Sequence, residues 1–177
     1  MDSIRTERLE LVPATLAHVD AELQSREALG HFLGAVVPAS WPPGEYDRSA
    51  LEFFRARLSE PAAAAGWYNW YAIHRPVPEH GRVVIGAGGY FGPPGTDGVV
   101  EVGFSVVPEF RKLGFAAELV HGLASRALSV PGVVRLIAHT RTANPQSIRV
   151  LEKCGFAQVG PGHKLGTIRY ERSRPTA

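Results

Sequence analysis

One short basic stretch of the sequence has the residue types needed to hold an anion. It consists of Arg111, Lys112, Leu113, Gly114, Phe115 and Ala116. The stretch lies between a run rich in β-branched residues and a segment with helical apolar spacing, which predicts a strand, a tight turn and a helix start. A helix start offers unpaired backbone N–H groups and the positive end of the dipole, and Gly114 lets the backbone approach a ligand closely. We expect a phosphate or pyrophosphate to bind here.

This pattern alone is weak, and an ordinary tight turn before a helix is an equal alternative. The Gly-Lys-Ser/Thr ending of the longer phosphate loop is absent, which disfavours a nucleoside triphosphatase. A second stretch adds to the case: Asn144 followed by Pro145 is a strong helix start, with Ser147 in the first turn and Gly155 at the helix end.

Glu101 is the first candidate for a proton acceptor. In a strand it shares a face with Gly103 and Ser105, because side chains alternate with a period of two. Several valines flank it along the chain, so burial would raise the pKa of its carboxyl, as a general base requires. The alternative is a charge at the sheet edge or a partner in a salt bridge.

His139 is the rival base, on the face that holds Ile137 and Arg141, since an imidazole has a suitable pKa for the task. A hydrogen-bonding histidine of the core is the alternative reading. The other histidines show no metal-ligand spacing, so we expect neither a zinc site nor any other metal. The single cysteine, Cys154, is expected to be a buried structural thiol.

Composition limits the function classes. The 177 residues suit one domain, and a net charge of +2 gives no argument for nucleic acid binding. No apolar run approaches the ~20 residues of a membrane span, and the start of the chain has no signal-peptide pattern. One cysteine fits a reducing cytoplasm. Oligomeric state is left open, with a homodimer among the alternatives.

The elements that must position these residues follow from apolar periodicity and turn signals. Strands are predicted over 4–12, 67–74, 82–91, 99–107 and 133–141, and a final hairpin over 156–159 and 164–172. Helical spacing covers 14–33, with interruptions at Gly30 and Gly34, and helices are predicted over 47–58, 112–128 and 144–154.

The helix between the strands at 99 and 133 implies a parallel pair within an otherwise antiparallel meander. We expect an α/β (α+β) domain: a mixed, mostly antiparallel sheet of about seven strands with helices on both faces. It spans residues 1–177 as one unit, folded over about 5–172, with a loose tail at 173–177.

The aromatic cluster after residue 66 belongs to the next strand. Alternation sends Trp67 and Tyr71 to one face of the sheet and Tyr68 and Trp70 to the other. Together with Trp41, Phe53 and Phe54, these side chains form either the core or the lining of an acceptor site. Sheet packing is the default, with one or two of them facing a substrate cleft.

The basic turn and the Asn-Pro-x-Ser helix, separated by one strand, together resemble the GNAT superfamily of acetyl-coenzyme-A-dependent N-acetyltransferases. The opening Thr6-Glu7-Arg8-Leu9-Glu10-Leu11, the Trp41-Pro42-Pro43 loop and Ala138-His139-Thr140 look like the branch of the Rim-type ribosomal-protein N-terminal acetyltransferases. The resemblance covers residues 5–172 and is strongest from Glu101 to Phe156.

The resemblance implies a role for each candidate. Residues 111–116 would grip the pyrophosphate of acetyl-coenzyme A, and Asn144 and Ser147 would flank its pantetheine arm. Ser105, Val106 and Val107 fall where the family's strand meets the pantetheine and the acetyl carbonyl, with a backbone N–H near Ser105 or Val106 as the oxyanion donor. Glu101 matches the position of the base in histone-type members. Leu151 replaces a tyrosine that protonates the leaving sulfur in many relatives, and Tyr170 is a weak substitute.

The implied reaction is direct attack of a primary amine on the thioester in a ternary complex, without a metal. The acceptor is either a protein N-terminus or a small molecule, such as a polyamine or an antibiotic. An acyl-coenzyme-A sensor without turnover is a third reading.

Overall fold

The computed structural model describes residues 2–61, 63–75 and 81–174. The strands are β1 (Ile4–Arg5), β2 (Leu9–Pro13), β3 (Asn69–His74), β4 (Val83–Tyr90), β5 (Val99–Val106), β6 (Arg135–Arg141), β7 (Ala157–Pro161) and β8 (Thr167–Ser173). The helices are α1 (Leu16–Gln24), α2 (Arg26–Leu33), α3 (Arg48–Leu58), α4 (Phe115–Ser129) and α5 (Pro145–Lys153), with a 3₁₀ turn over Pro108–Phe110.

The strands form one sheet in the order β1-β2-β3-β4-β5-β6-β8-β7. Every neighbouring pair is antiparallel except β5 and β6, which run parallel because α4 carries the chain across between them. The mixed, mostly antiparallel α/β architecture with helices on both faces is confirmed. The strand count is eight rather than about seven, because the first predicted strand is two strands.

The break between β1 and β2 is fixed by contacts with α4. The hydroxyl of Thr6 and the backbone N–H of Arg8 both donate to the carboxylate of Glu118 on α4. These bonds hold the reversal of the chain between Arg5 and Leu9, so that β1 and β2 pair as an antiparallel hairpin. Residues of two distant parts of the sequence therefore meet at the start of α4.

The long N-terminal helical segment also divides at an unexpected position. Ser25 has extended backbone angles and caps α2 by accepting from the N–H of Ala28 at 3.0 Å. The predicted interruption at Gly30 lies inside α2, and Gly34 ends that helix with φ 56°. The hydroxyl of Ser25 therefore decides the break, as a cap does wherever it can replace a helical hydrogen bond.

The two faces of the sheet carry different helices. Trp70 lies beneath the Arg126 guanidinium of α4, whereas the Tyr71 hydroxyl reaches Glu22 of α1 on the opposite face. The predicted alternation is thus correct inside β3. It is wrong for Trp67, which shares the Arg126 face with Trp70, because β3 begins only at Asn69.

Three smaller differences concern element ends. The main helix begins at Phe115 rather than at residue 112, since Lys112 and Gly114 both have positive φ. Ser173 lies in β8 rather than in a tail, and Arg174 N–H donates to Val134 O at 3.0 Å. Residues 175–177 of the expected tail, and residues 76–80 between the strands predicted over 67–74 and 82–91, lie outside the described residues. None of the described helices has the length and apolar character needed to cross a membrane.

Candidate active site

The sheet opens in the middle, between β5 and β6. The two strands pair only from Val99 to Glu101, opposite Arg135 to Ile137, and then diverge. A cleft of about 880 Å³ occupies the opening and reaches both faces of the sheet. Backbone groups that would pair in a continuous sheet therefore border the cleft.

Hydrogen bonds to β4 show which backbone groups these are. Val107 N–H donates to Ile85 O at 2.9 Å, and Glu101 O accepts from Phe91 N–H at 3.2 Å. Because antiparallel pairing alternates, the backbone groups of Ser105 also face β4, while those of Val106 face the opening. Val106 O accepts from Arg111 Nε at 2.8 Å, which agrees with this orientation.

Glu101 and His139, the two candidate bases, lie together where the strands part. His139 Nδ1 is 2.9 Å from Glu101 Oε1. The side chain of Glu101 is 29 % exposed and that of His139 only 12 %, and both line the cleft. The carboxylate is therefore open to a reactant, while its hydrogen bond fixes the imidazole behind it.

The start of α4 forms one end of the cleft, and this end is suited to an anionic ligand. Lys112 has φ 62° and Gly114 has φ 86°, a left-handed conformation that turns the chain sharply into the helix. No side chain caps the first turn of α4. Its N–H groups and the positive end of the helix dipole are thus available to a ligand at this end of the cleft.

Arg8 holds this turn from behind. Its Nη1 donates to Leu113 O at 3.0 Å, its guanidinium lies 4.1 Å from the centre of the Phe115 ring, and its Nε forms an ion pair with Glu118 at 2.8 Å. Leu113 and Phe115 are therefore absent from the cleft lining and serve to anchor the turn. The Thr6–Arg8 segment has a clear structural task here.

Helix α5 supplies the opposite wall. Asn144 Oδ1 accepts from the N–H of Ser147 at 3.1 Å and caps the helix, and both residues line the cleft. Gln146, Arg149 and Lys153 of the same helix also line it. With Arg111 and Lys112 across the cleft, this end carries four cationic side chains, which suits a polyanionic ligand.

The other end of the cleft lies on the α3 face and has an aromatic wall. It is lined by Tyr46, Phe54, Asn69 and Phe91. Gly44 closes over the strand here: a Cβ on it would lie 2.7 Å from Ser105 Oγ, and its φ is +55°. Only glycine fits this close approach without displacing Ser105.

A buried carboxylate fixes the loop that carries Tyr46. Glu22 accepts from Trp41 Nε1 at 2.7 Å, from Tyr46 Oη at 3.0 Å and from Tyr71 Oη at 2.7 Å. Burial raises the pKa of Glu22, and the three hydrogen bonds counteract part of that rise. Asn69 Nδ2 donates to Tyr46 Oη at 2.7 Å, so the network ends at the cleft surface.

Most of the sequence-predicted site residues meet at this cleft. Its lining includes Glu101, Ser105, Val106, Arg111, Lys112, Gly114, Ala116, His139, Asn144 and Ser147. Val107 is completely buried, and its N–H is bonded to β4. Ser105 contributes its side chain to the lining, since its backbone faces β4.

The residues considered for sulfur chemistry lie elsewhere. Leu151 and Tyr170 are buried, and neither belongs to the cleft lining. Cys154 is buried as expected, and its thiol donates to Ala117 O at 3.3 Å. Burial raises the pKa of this thiol, which disfavours the thiolate that a nucleophile requires.

Several cleft residues are not among the sequence-predicted site residues. Arg149 and Lys153 follow one another at i, i+4 on α5, so helical spacing after Asn144 would have found them. Tyr46 and Asn69 come together only through the tertiary fold. Of the aromatic side chains considered from the sequence, Phe54 is the one on the lining.

Comparison with known proteins agrees with this geometry. Residues 8–157 match the family model of the acetyltransferase (GNAT) domain. The uncharacterized N-acetyltransferase YjdG of Bacillus subtilis (strain 168) is 28 % identical over 153 residues, which cover 86 % of this chain and 88 % of YjdG.

Solved structures share the fold. An acetyltransferase from Agrobacterium tumefaciens superimposes with a TM-score of 0.65 at 20 % identity, covering 97 % of this chain and 94 % of its own. A spermidine N-acetyltransferase from Vibrio cholerae gives 0.58 at 14 % identity, covering 93 % and 94 %. Since the family match spans most of the chain, the protein belongs to the GNAT family and is an acetyltransferase.

Proposed function

We propose that this protein transfers an acetyl group from acetyl-coenzyme A to an acceptor with one primary amine and an apolar group beside it, such as a peptide N-terminus. The observation that carries the proposal is the Glu101–His139 pair at the mouth of the β5–β6 opening. GNAT acetyltransferases use acetyl-coenzyme A as the acetyl donor, and the residues of the cleft fit that cosubstrate.

The fit rests on the cationic end of the cleft. The uncapped first turn of α4, with Arg111 and Lys112 beside it, would hold the pyrophosphate. Asn144 and Ser147 would flank the pantetheine arm, and the backbone of Val106 would border its reactive end. The proposal also places the protein in the branch of the Rim-type ribosomal-protein N-terminal acetyltransferases.

Each chemical step has a group to perform it. An amine is mostly an ammonium ion at neutral pH, so Glu101, directly or through water, would accept its proton before attack. His139 would orient that carboxylate. The Val106 N–H would stabilise negative charge on the acetyl oxygen as the N–C bond forms and the C–S bond breaks.

No dedicated acid is needed for the leaving group. A free thiol has a pKa near ~8.5, so coenzyme A can depart as a thiolate at neutral pH, and this thiolate then takes up the second proton that the amine nitrogen loses. Leu151 and Tyr170 are buried away from the cleft, which is consistent with this assignment. The buried Cys154 gives no support to a covalent acetyl-enzyme, so we assign direct attack within a ternary complex.

The acceptor class is argued from charge. Among the described residues, the cleft lining contains two carboxylates, Glu45 and Glu101, and Glu45 is already 2.8 Å from Arg141 Nη2. A polyamine needs several negative partners, whereas one ammonium needs one. The aromatic wall of Tyr46, Phe54 and Phe91 suits an apolar group beside that amine.

The test measures release of coenzyme A with a panel of amines, and then the dependence of turnover on Glu101. We expect peptides with an apolar first residue to be better acceptors than spermidine or aminoglycosides. Glu101→Gln keeps the size of the side chain but removes the base, so kcat should fall by about 10²–10⁴-fold with little change in the KM for acetyl-coenzyme A.

Glu45→Gln is the matched control, because it removes the other lining carboxylate and should leave kcat within a few-fold of the wild type. A kcat unchanged in Glu101→Gln would refute the assignment of the base. Preference for a polyamine over every peptide would refute the acceptor class while leaving acetyl transfer intact.

A further inference from the structure

A third side chain, from outside the cleft lining, meets the Glu101–His139 pair. His163 lies in the turn between β7 and β8, is exposed, and packs edge-on against His139. The two ring centres are 4.2 Å apart and the planes meet at 83°. One ligand atom each from Glu101, His139 and His163 can be chosen so that all three lie within 4.8 Å of one another.

We propose that Glu101, His139 and His163 bind a divalent transition-metal ion, with Zn²⁺ as the best fit, and that the bound ion inhibits acetyl transfer. Two imidazole nitrogens and one carboxylate oxygen, with a fourth position left to water, are a donor set that zinc accepts readily. Binding itself does not depend on the proposed acetyl transfer, whereas inhibition does.

The geometry requires only a small adjustment. Zinc–ligand bonds of about 2.0–2.1 Å place tetrahedral ligand atoms about 3.4 Å apart. Glu101 Oε1 and His139 Nδ1 are already at 2.9 Å, so the main movement falls on the imidazole of His163. Because that side chain is exposed, rotation about its own bonds can bring a nitrogen inward.

The backbone that carries His163 is held in place. Gly162 N–H donates to Thr167 O at 2.8 Å, and Thr167 Oγ1 donates to Lys164 O at 2.6 Å. The turn is further tied to the end of β6, since Thr142 N–H donates to Gly166 O at 3.0 Å. The third ligand is thus presented by a closed turn, which lowers the entropy cost of binding an ion.

The two arginine side chains beside His139 are paired. Arg169 lies opposite His139 in the ladder of β6 and β8 and forms an ion pair with Glu171 at 2.5 Å. Arg141, two residues after His139, is paired with Glu45. Both of these arginines therefore have a carboxylate partner, which reduces their repulsion of a metal ion.

A bound ion would occupy the carboxylate oxygen that accepts the proton of the amine. Inhibition should therefore be competitive with the acceptor and not with acetyl-coenzyme A, which binds at the other end of the cleft. This distinguishes the site from non-specific precipitation or from reaction of zinc with Cys154, which is buried.

The experiment is a titration of the metal-free protein with Co²⁺, followed by the visible absorption of the tetrahedral ion, and a parallel titration with Zn²⁺ in competition. We expect His163→Ala to weaken binding of both ions by at least about tenfold. His121→Ala, which removes an exposed histidine of α4, is the matched control and should bind as the wild type does. His163→Cys should restore binding and add a sulfur-to-cobalt charge-transfer band.

Zinc inhibition is then measured for each variant relative to its own rate without zinc. The concentration for half inhibition should rise in His163→Ala by the same factor as the dissociation constant. Cobalt binding that is equal in His163→Ala and wild type, or the absence of the visible band, would overturn the metal site. Binding that depends on His163 in a protein that acetylates no amine would instead overturn the proposed function and leave the metal site standing.

Discussion

Tyr90 is a phenol that the fold buries completely, with its hydroxyl donating to Leu123 O of α4 at 2.6 Å. Burial raises its pKa from 10.0 to about 12, and the nearby Arg126 lowers it slightly. The neutral phenol is therefore favoured in the folded state. Its contribution to stability is complete below pH 10 and is lost as the pH rises towards 12, because only the unfolded chain releases the proton.

Alkaline unfolding tests this single residue. A pKa difference of two units corresponds to about 3 kcal/mol, which the wild type should lose between pH 10 and 12 on account of Tyr90. Tyr90→Phe should be less stable at pH 8, since Leu123 O loses its donor, but its free energy of unfolding should fall less above pH 10. Urea unfolding at pH 8 and pH 11 gives the comparison. An equal fall in both proteins would contradict the assignment.

Glu101 and His139 show how residue-scale arguments combine. Each was an independent candidate for the base in the sequence, because strand periodicity places each on a face but not the two beside one another. The parallel register of Glu101 with Ile137 puts His139 one step further along the same face. The choice between two bases thus becomes a division of tasks between a carboxylate and its hydrogen-bonded partner.

At the scale of elements, the turn into α4 depends on backbone conformation as much as on charge. Gly114 has φ 86°, and a Cβ there would lie 3.2 Å from Arg8 Nη2, the side chain that anchors the turn. Gly132, in the turn after the same helix, has a closely similar φ of 89° with nothing within 4 Å of its Cβ position. The two glycines precede and follow the same helix, but only Gly114 lines the cleft.

This pair provides a matched experiment. Gly114→Ala and Gly132→Ala should each lower the free energy of unfolding by about 1–2 kcal/mol, the cost of a left-handed residue with a side chain. Gly114→Ala alone should also weaken binding of coenzyme A, by about tenfold, or about 1.4 kcal/mol. Calorimetric titration of both variants with coenzyme A decides the matter. Equal affinities would show that the turn does not hold the pyrophosphate.

Features that depend on near neighbours in the sequence can be predicted from it, whereas tertiary contacts cannot. The turn at 111–116 and the cap at Asn144 could be found in the sequence, because each depends on neighbours within a few residues. The same holds for the order of elements, which follows from apolar periodicity. The sequence does not predict the break at Ser25, because Gly30 gives the stronger sequence signal for a helix interruption than the hydroxyl of a serine does.

Contacts between distant segments have no pattern in the sequence that predicts them. Gly44 and Ser105 meet because the loop before α3 folds over β5, and His163 reaches His139 across the ladder of β6 and β8. No periodicity connects residues on separate strands and loops. The acceptor side of the cleft therefore had to be read from the structure, while the cosubstrate side was accessible from the sequence.

At the scale of the whole molecule, the sheet consists of two halves that share only three residue pairs at the β5–β6 junction. A ligand that fills the cleft touches both halves. Coenzyme A at 100 times its dissociation constant should add about 2.7 kcal/mol to stability and raise the melting temperature by about 5–11 °C. Glu101→Gln should gain the same increment, because that residue lies away from the cationic end of the cleft, where coenzyme A is proposed to bind.

Differential scanning calorimetry with and without coenzyme A makes this measurement. A melting temperature that coenzyme A leaves unchanged, at concentrations that saturate turnover, would contradict binding across the junction.

The order of the strands gives this junction one more consequence. Strands β1 and β8 lie on opposite sides of it. A tension applied between β1 and β8 would run through the three residue pairs of β5 and β6 and through the packing of α4, which contacts β2, β4, β5 and β6. The β5–β6 junction, where the reaction is proposed to occur, is thus the line along which the molecule would separate under tension, and α4, the Glu101–His139 hydrogen bond and the Glu45–Arg141 ion pair cross it.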